Sequence, residues 1–395
     1  MSELRVSVVR STRTIKPPYA IFSMAEVDAI VPNGLTVAST FAGAGGSCLG
    51  YRMAGMSVLW ANEFEPASVA TYAANHPKTI LDTRDIRNVS GQDILDAVGP
   101  VDILDGSPPC QSFSMAGKRS SGWGKSIAHA DGTTQRSDDL FFEFARLLGE
   151  LRPRAFVAEN VRGLVQGVAK GYFKRIVAEL VTQGYVVRAR VLDAQWLGVP
   201  QHRERVVILG LRDDLGFTPE FPLPLPYRYS IADACPWLGG SSIEGANGFD
   251  GHAERSTEQP SATVQASRPV AVQARKAVAS EPCPTVLAVN GGWSDIRLER
   301  RGHGFYPGES KSLDDSAPTV TTMGGAFWGQ VSDRPLTIAE VKRLCSFPDD
   351  FELQGSYAQQ WARLGNSVPP LMMFAVAKVL AAQLRGLQSE RTSVD

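Results

Sequence analysis

One cysteine, Cys110, lies in the segment Gly106-Ser107-Pro108-Pro109-Cys110-Gln111-Ser112-Phe113-Ser114. Two prolines stiffen the chain just ahead of it. A thiol on such a loop can act as a nucleophile if it is exposed and a positive neighbour raises its thiolate fraction. The ordinary reading of a lone cysteine is an inert, buried side chain. Glu159 follows a short run of strand residues, Arg154 to Ala158, and its carboxyl group could donate a proton or a hydrogen bond. In Gln201-His202-Arg203-Glu204-Arg205, alternation puts Gln201, Arg203 and Arg205 on one side of an extended chain. Two guanidinium groups there could sustain a thiolate, or hold a phosphate or a base carbonyl. Taken singly, a surface glutamate or a helix N-terminal charge explains Glu159 equally well, and a solvated charged edge is the ordinary reading of the arginine segment.

A fourth feature is the glycine-rich turn Phe41-Ala42-Gly43-Ala44-Gly45-Gly46, which leaves a strand and enters a helix. Such a turn brings backbone N–H groups close to a ligand. Glu63 lies 20 residues after Gly43, where an acidic residue can bind ribose hydroxyls. Asp85 follows a third strand and could meet an adenine edge. A glycine turn alone is a weak signal. With Glu63 in place, it points to an adenosine-containing cofactor.

These groups can meet only if the elements between them form one sheet. Apolar runs suited to strands lie at Leu35–Phe41, Val58–Trp60, Thr79–Leu81, Val101–Leu104, Ala155–Ala158, Tyr185–Leu192 and Arg205–Leu211. Helical periodicity lies between them, at Glu65–Asn75, Asp138–Leu151 and Phe173–Gln183. Strands alternating with helices predict an α/β fold, a doubly wound and mostly parallel sheet of Rossmann-like type. Ligands of such sheets collect beyond the carboxyl ends of the strands, where Glu63, Cys110 and Glu159 all fall.

Residues 1–33 read as an extension, flexible or draped over the domain. Residues 34–212 are the catalytic core. Residues 213–333 are rich in Gly, Pro, Ser and Ala, with a loose Pro-Thr-Val theme at 284–286 and 318–320, and read as a small, irregular, partly β domain. Helical periodicity returns at Thr337–Cys345 and Val368–Leu384, so residues 334–395 rejoin the core.

The 395 residues carry 40 Lys/Arg and 41 Asp/Glu, a near-neutral balance that neither announces nor excludes a nucleic-acid partner. With 43% hydrophobic and 21% charged residues, wholesale disorder is excluded. No apolar stretch approaching the length of a membrane span is read, nor an amino-terminal signal peptide. Five widely spaced cysteines fit a reducing cytosol, and no metal-ligand spacing is present.

Taken together, these motifs resemble the C5-cytosine methyltransferase family, in order and spacing, from about residue 35 to 385. The glycine loop, Glu63, Asp85, Pro108-Pro109-Cys110-Gln111, Glu159-Asn160-Val161 and Gln201 to Arg205 carry the resemblance. Arg334 to Phe351 and Gly365-Asn366-Ser367-Val368-Pro369-Pro370 extend it. The resemblance implies transfer of a methyl group from S-adenosyl-L-methionine to C5 of a cytosine flipped out of double-stranded DNA. Cys110 would be the nucleophile, with Glu159, Arg203 and Arg205 as catalytic partners. Arg203 would serve as support or as a phosphate contact. The cofactor would meet Phe41, Ala42, Gly43, Gly45, Gly46, Glu63, Phe64, Asp85, Ile86, Gly106, Pro108, Leu140, Asn366, Ser367 and Val368. DNA would meet Gln111, Ser114, Lys118 and Arg119 on a mobile lid, and Arg297, Arg300 and Arg301 in a target-recognition domain at 213–333. Residues 212–334 hold eleven Lys/Arg and fifteen Asp/Glu, so specificity there would rest on a few placed residues. A monomer in a bacterial or phage-infected cytoplasm, associated with the nucleoid, is the implied setting, with restriction–modification one possible role.

Two departures stand out. Ser39-Thr40 precede the glycine loop where the family usually has Asp-Leu, and Ser47-Cys48 follow it where an aromatic often sits. A polar contact near the methionine part of the cofactor is therefore missing or remade. The competing readings are a tRNA cytosine methyltransferase, whose usual Cys-Phe-Thr motif is absent here, a silent DNA-binding homologue, and a cysteine hydrolase. The hydrolase would need a histidine beside Cys110, and His202 is the nearest candidate.

Overall fold

The computed structural model describes residues 15–109, 140–167, 169–238 and 334–392. It also describes short strands at Ile127–Ala128, Thr134–Gln135, Ser241–Glu244, Glu254–Ser256, Ala271–Ala274 and Cys283–Pro284. Seven strands form the central sheet: β1 (Thr36–Thr40), β2 (Ser57–Asn62), β3 (Ile80–Asp82), β4 (Ile103–Gly106), β5 (Ala155–Val161), β6 (Tyr185–Asp193) and β7 (Glu204–Arg212). Their order is β3-β2-β1-β4-β5-β7-β6. The first five are parallel, whereas β7 runs antiparallel to both β5 and β6. The expected mostly parallel sheet is present, with this reversal at one end. Its cause is the connection from β6 to β7, residues 194–203, which contains no crossover helix to return the chain in the parallel sense.

Alternation along the strands divides the core between the two faces. Val37, Ile103, Val157 and Val207 belong to one apolar cluster, and their neighbours Ala38, Leu104, Phe156 and Ile208 to the other. The first face is covered by α2 (Gly46–Met53) and α10 (Pro370–Thr392), the second by α5 (Leu140–Leu151) and α6 (Ala169–Thr182). A sheet covered on both faces needs apolar residues at successive positions, as the strand sequences supply.

Several elements were not visible in the sequence pattern. Helix α4 (Gly91–Val98) and helix α9 (Tyr357–Asn366) begin with capping boxes, Ser90 with Asp93 and Ser356 with Gln359. Helix α1 (Met24–Asp28) lies in the extension, where Ser23 and Glu26 cap it. Residues 15–28 are anchored on two segments: Lys16 pairs with Asp233 of the short helix Ile231–Ala234 at 2.7 Å, and the Tyr19 hydroxyl donates to the Arg343 carbonyl at 3.0 Å. The stretch Tyr357–Gly386 contains an 18-residue window of mean hydropathy 1.5, more apolar than the sequence reading allowed. That window is 61% buried, and α10 lies tight on α2, where a Cβ on Gly50 would stand 2.6 Å from Met373 Cβ. It is a core helix by packing.

Candidate active site

The glycine turn is built from backbone strain and close approach. Phe41 has φ +53°, a left-handed conformation that a bulky side chain rarely adopts. Gly45 has φ +88°, and a side chain there would strike the ring of His76. A Cβ on Gly46 would clash with the Val368 carbonyl oxygen. The loop after α9 therefore lies against the first turn of α2, which joins residues some 320 positions apart in the chain into one wall.

At the end of β2, Glu63 accepts from the backbone N–H of Gly43 at 2.8 Å through Oε2, and from those of Phe64 and Glu65 at 3.0 and 2.9 Å through Oε1. Burial raises the Glu63 pKa, while the N–H groups of Glu65 and Gly43 oppose that rise. Asn62 donates from Nδ2 to the carbonyls of Asp82 and Arg84, which pins the chain leading to Asp85. Asp85 caps a short helical turn through the Arg87 N–H and pairs with the Arg87 side chain at 3.0 Å. Arg363 of α9 reaches Glu65 at 2.9 Å and adds positive charge beside Glu63.

An adenosyl cofactor fits this arrangement in two respects. A Cβ at Gly43 would meet nothing within 4 Å, so the turn opens on space beside the Glu63 carboxylate. The first N–H groups of α2 carry no side-chain cap, because Gly45 occupies the N-cap. The structure does not bring every expected residue to that space. Ile86 and Leu140 are buried in the apolar core with Phe144 and Phe156, behind the strands. Asn366 is exposed at the end of α9, and the Ser367 hydroxyl donates to the Arg363 carbonyl at 2.7 Å.

β4 ends at Gly106, where a side chain would press on Thr40 and Phe144, and the chain then reaches Pro108. Asn160 donates from Nδ2 to the Pro108 carbonyl at 2.8 Å. The end of β5 thus fixes the chain two residues before Cys110. Cys110 itself, with Gln111, Ser114, Lys118, Arg119, Arg297, Arg300 and Arg301, lies outside the described residues.

Glu159 and Arg205 form a buried ion pair, Nε to Oε1 at 3.0 Å, with exposures of 7% and 5%. The register explains it. Val207 stands opposite Glu159 and Arg205 opposite Val161, so the two charges are diagonal neighbours on one face of an antiparallel ladder. Burial lowers the Arg205 pKa, and Glu159 counters it.

Arg203 behaves differently from the expectation of a phosphate contact. It is 1% exposed and donates to the carbonyls of Gly365 and Ser367 at 3.0 and 2.8 Å. Residue 203 falls between the strand Gln201–His202 and β7, and burial, with the neighbouring charge of Arg205, lowers its pKa to about 9 while Glu159 opposes that shift. His202 binds Asp193 through Nδ1 at 2.7 Å and lies 3.0 Å from the Gln195 amide. It is engaged there and not displayed at a strand end. Asp193, Gln195 and Arg363 had no signal of their own in the sequence, and Asn160 was named only as part of the Glu159-Asn160-Val161 motif, with no partner assigned.

A doubly wound sheet with a glycine turn, an acidic residue after β2 and a Pro-Pro-Cys segment in the sequence after β4 is consistent with the methyltransferase class. The chain belongs to the C-5 cytosine-specific DNA methylase family, whose sequence profile matches residues 35–382. It is 31% identical over 379 residues to the Type II methyltransferase M.PspPI of Psychrobacter sp., covering 92% of this chain and 83% of that one. It is 31% identical over 366 residues to the Type II methyltransferase M.Sau96I of Staphylococcus aureus, covering 88% and 76%. A DNA modification methyltransferase encoded within an Escherichia coli prophage shares the fold, with a TM-score of 0.58 at 20% identity over 89% of this chain and all of that one. The protein is a DNA cytosine-C5 methyltransferase, of a family that depends on S-adenosylmethionine.

Proposed function

We propose that this enzyme methylates a cytosine flipped out of one short duplex sequence, with Cys110 as nucleophile and Glu159 and Arg205 as its partners at the base. Cytosine C5 is weakly nucleophilic. Addition of the Cys110 thiolate at C6 makes C5 nucleophilic, and S-adenosylmethionine supplies an electrophilic methyl group to that carbon. Glu159, protonated when the base is bound, donates to N3 through one oxygen and accepts from the exocyclic amine through the other, stabilising the charge that develops as the thiolate adds. Arg205 holds Glu159 in place and meets the O2 edge of the base. Loss of the C5 proton and elimination of Cys110 restore the ring. Arg203 acts behind them, by holding the loop 365–367 against the glycine turn.

The single observation that carries this reading is the buried Glu159–Arg205 pair, on the same strand end that fixes Pro108. An ion pair withdrawn from water is costly unless it serves a fixed geometry, as a site that receives an extruded base requires. Glu63 and the first turn of α2 would hold the cofactor's ribose and its methionine end. Residues 111–134 would form the lid. Residues 213–333 would read the DNA, with Arg297, Arg300 and Arg301 as candidates. Action as a monomer in the cytoplasm, within a restriction–modification or phage setting, completes the proposal.

The test is expression of the wild-type chain and Cys110→Ala in cells lacking cytosine methylation, followed by conversion sequencing of genomic DNA. Protected cytosines in one short context, seen only with Cys110 present, are the expected outcome. Soluble wild-type protein that protects none would overturn the proposal.

A further inference from the structure

Asp105 was not singled out by the sequence, yet it is the most fully enclosed carboxylate near the site. It is 1% exposed. Its Oδ2 accepts from the hydroxyls of Ser39 at 2.8 Å and Ser47 at 2.9 Å, and its Oδ1 from the Tyr51 hydroxyl at 3.0 Å. All three donors are buried as well. Ser39 is the penultimate residue of β1, while Ser47 and Tyr51 lie on α2, so one side chain of β4 gathers both elements that form the glycine turn. Its carbonyl is also held, by the Thr40 hydroxyl at 3.0 Å.

The two departures noted in the sequence meet here. Ser39 and Ser47 each belong to one of the two departing pairs, and both hydroxyls donate to Asp105. In the parallel β1–β4 pairing Ser39 stands opposite Asp105, so the two positions are lateral neighbours about 5 Å apart. A carboxylate on either strand can reach the same space beneath the first turn of α2, where negative charge is favoured by the helix N-terminus. Because an ionised carboxylate only accepts hydrogen bonds, three converging hydroxyls are matched to it and not to an amide or an alkyl group.

We propose that Asp105 is a positioning residue for cofactor binding: from β4 it supplies the carboxylate that fixes the first turn of α2 and the end of β1, in place of an acidic residue at position 39. The inference rests on S-adenosylmethionine being the cofactor. Asp105 acts through Ser47 and the N–H groups beside it, not by touching the reacting atoms. Burial raises its pKa to about 6, so the group is mostly ionised at neutral pH, as the hydroxyl cage requires.

The test uses full-length protein and S-adenosylhomocysteine, titrated by calorimetry into wild type, Asp105→Asn, Asp105→Ala and the exchange variant Ser39→Asp/Asp105→Ser. Wild type should bind. Asp105→Asn and Asp105→Ala should weaken binding by tenfold or more, and the exchange variant should recover to within about threefold of wild type. In steady state, KM for the methyl donor should rise while KM for DNA stays within twofold. If wild type itself does not bind, the cofactor assignment fails, not the role of Asp105. If wild type binds and Asp105→Asn binds equally well, the proposal is overturned. If the folded exchange variant binds no better than Asp105→Asn, Asp105 does not stand in for an acid at position 39, and that too overturns it. Should Asp105→Ala prove insoluble, the comparison of Asp105→Asn with the exchange variant carries the same decision.

Discussion

The two arginines of the Gln201–Arg205 segment should fail in different ways when removed. Arg203→Met deletes two hydrogen bonds from a guanidinium to the buried carbonyls of Gly365 and Ser367, at 3.0 and 2.8 Å. Charge-assisted bonds of this kind contribute about 1.5–3 kcal/mol each, and losing the desolvation cost of a buried charge offsets part of the sum, leaving a net loss of about 2–4 kcal/mol. For a chain of 395 residues that corresponds to a fall in Tm of roughly 2–5 °C. The damage also travels. Ser367 precedes Val368, whose carbonyl lies against Gly46 at the first turn of α2. Affinity for S-adenosylhomocysteine should therefore drop at least fivefold. Arg205→Met removes the buried partner of Glu159. It should leave that affinity within twofold while methyl transfer falls a hundredfold or more. Thermal unfolding, calorimetry and single-turnover transfer of labelled methyl groups to DNA separate the two outcomes. Loss of cofactor affinity in Arg205→Met, with Arg203→Met unchanged in both Tm and affinity, would refute the division of labour.

Two further outcomes follow from the same packing. Gly46→Ala places a methyl group on the Val368 carbonyl and against the Phe347 ring, so it should displace α2 or the 365–368 loop and lower cofactor affinity at least tenfold. A variant that binds S-adenosylhomocysteine as wild type does would show that this contact is not needed. His76 is enclosed beside Arg52 and stacked on Tyr72 at 4.4 Å, and burial followed by the Arg52 charge lowers its pKa from 6.5 to about 3. A depressed histidine pKa gives stability that is fully present above pH 6.5 and lost as the pH falls towards 3. Between pH 7 and pH 4 this amounts to about 3 kcal/mol. Denaturant unfolding of His76→Asn should therefore lose less stability over that range than wild type does, and equal pH slopes would remove the assignment.

Much of this protein was legible from its sequence because local rules governed the parts. Period-2 and period-3.6 patterns located the strands and most helices, since each must bury one face or both. Glycines in the turn were readable because no other residue suits Gly45, with its left-handed backbone and the His76 ring beside it. Glu63 and Glu159 were readable from their places at strand ends. Helices α4 and α9 were not, because their caps are short polar signals without a long apolar stripe.

What the tertiary structure alone decided concerns partners distant in the chain. Alternation placed Arg203 on the side of Arg205, but only the packing shows that it donates to carbonyls more than 160 residues away. Nothing in the sequence around Asp105 announces that three hydroxyls converge on it, because that follows from the β1–β4 register and from how α2 settles over both strands. The sequence by itself determined which elements form and which chemistry they carry. The pairing of those elements decided which charges are buried together, since burial is a property of packed neighbours and not of residue type.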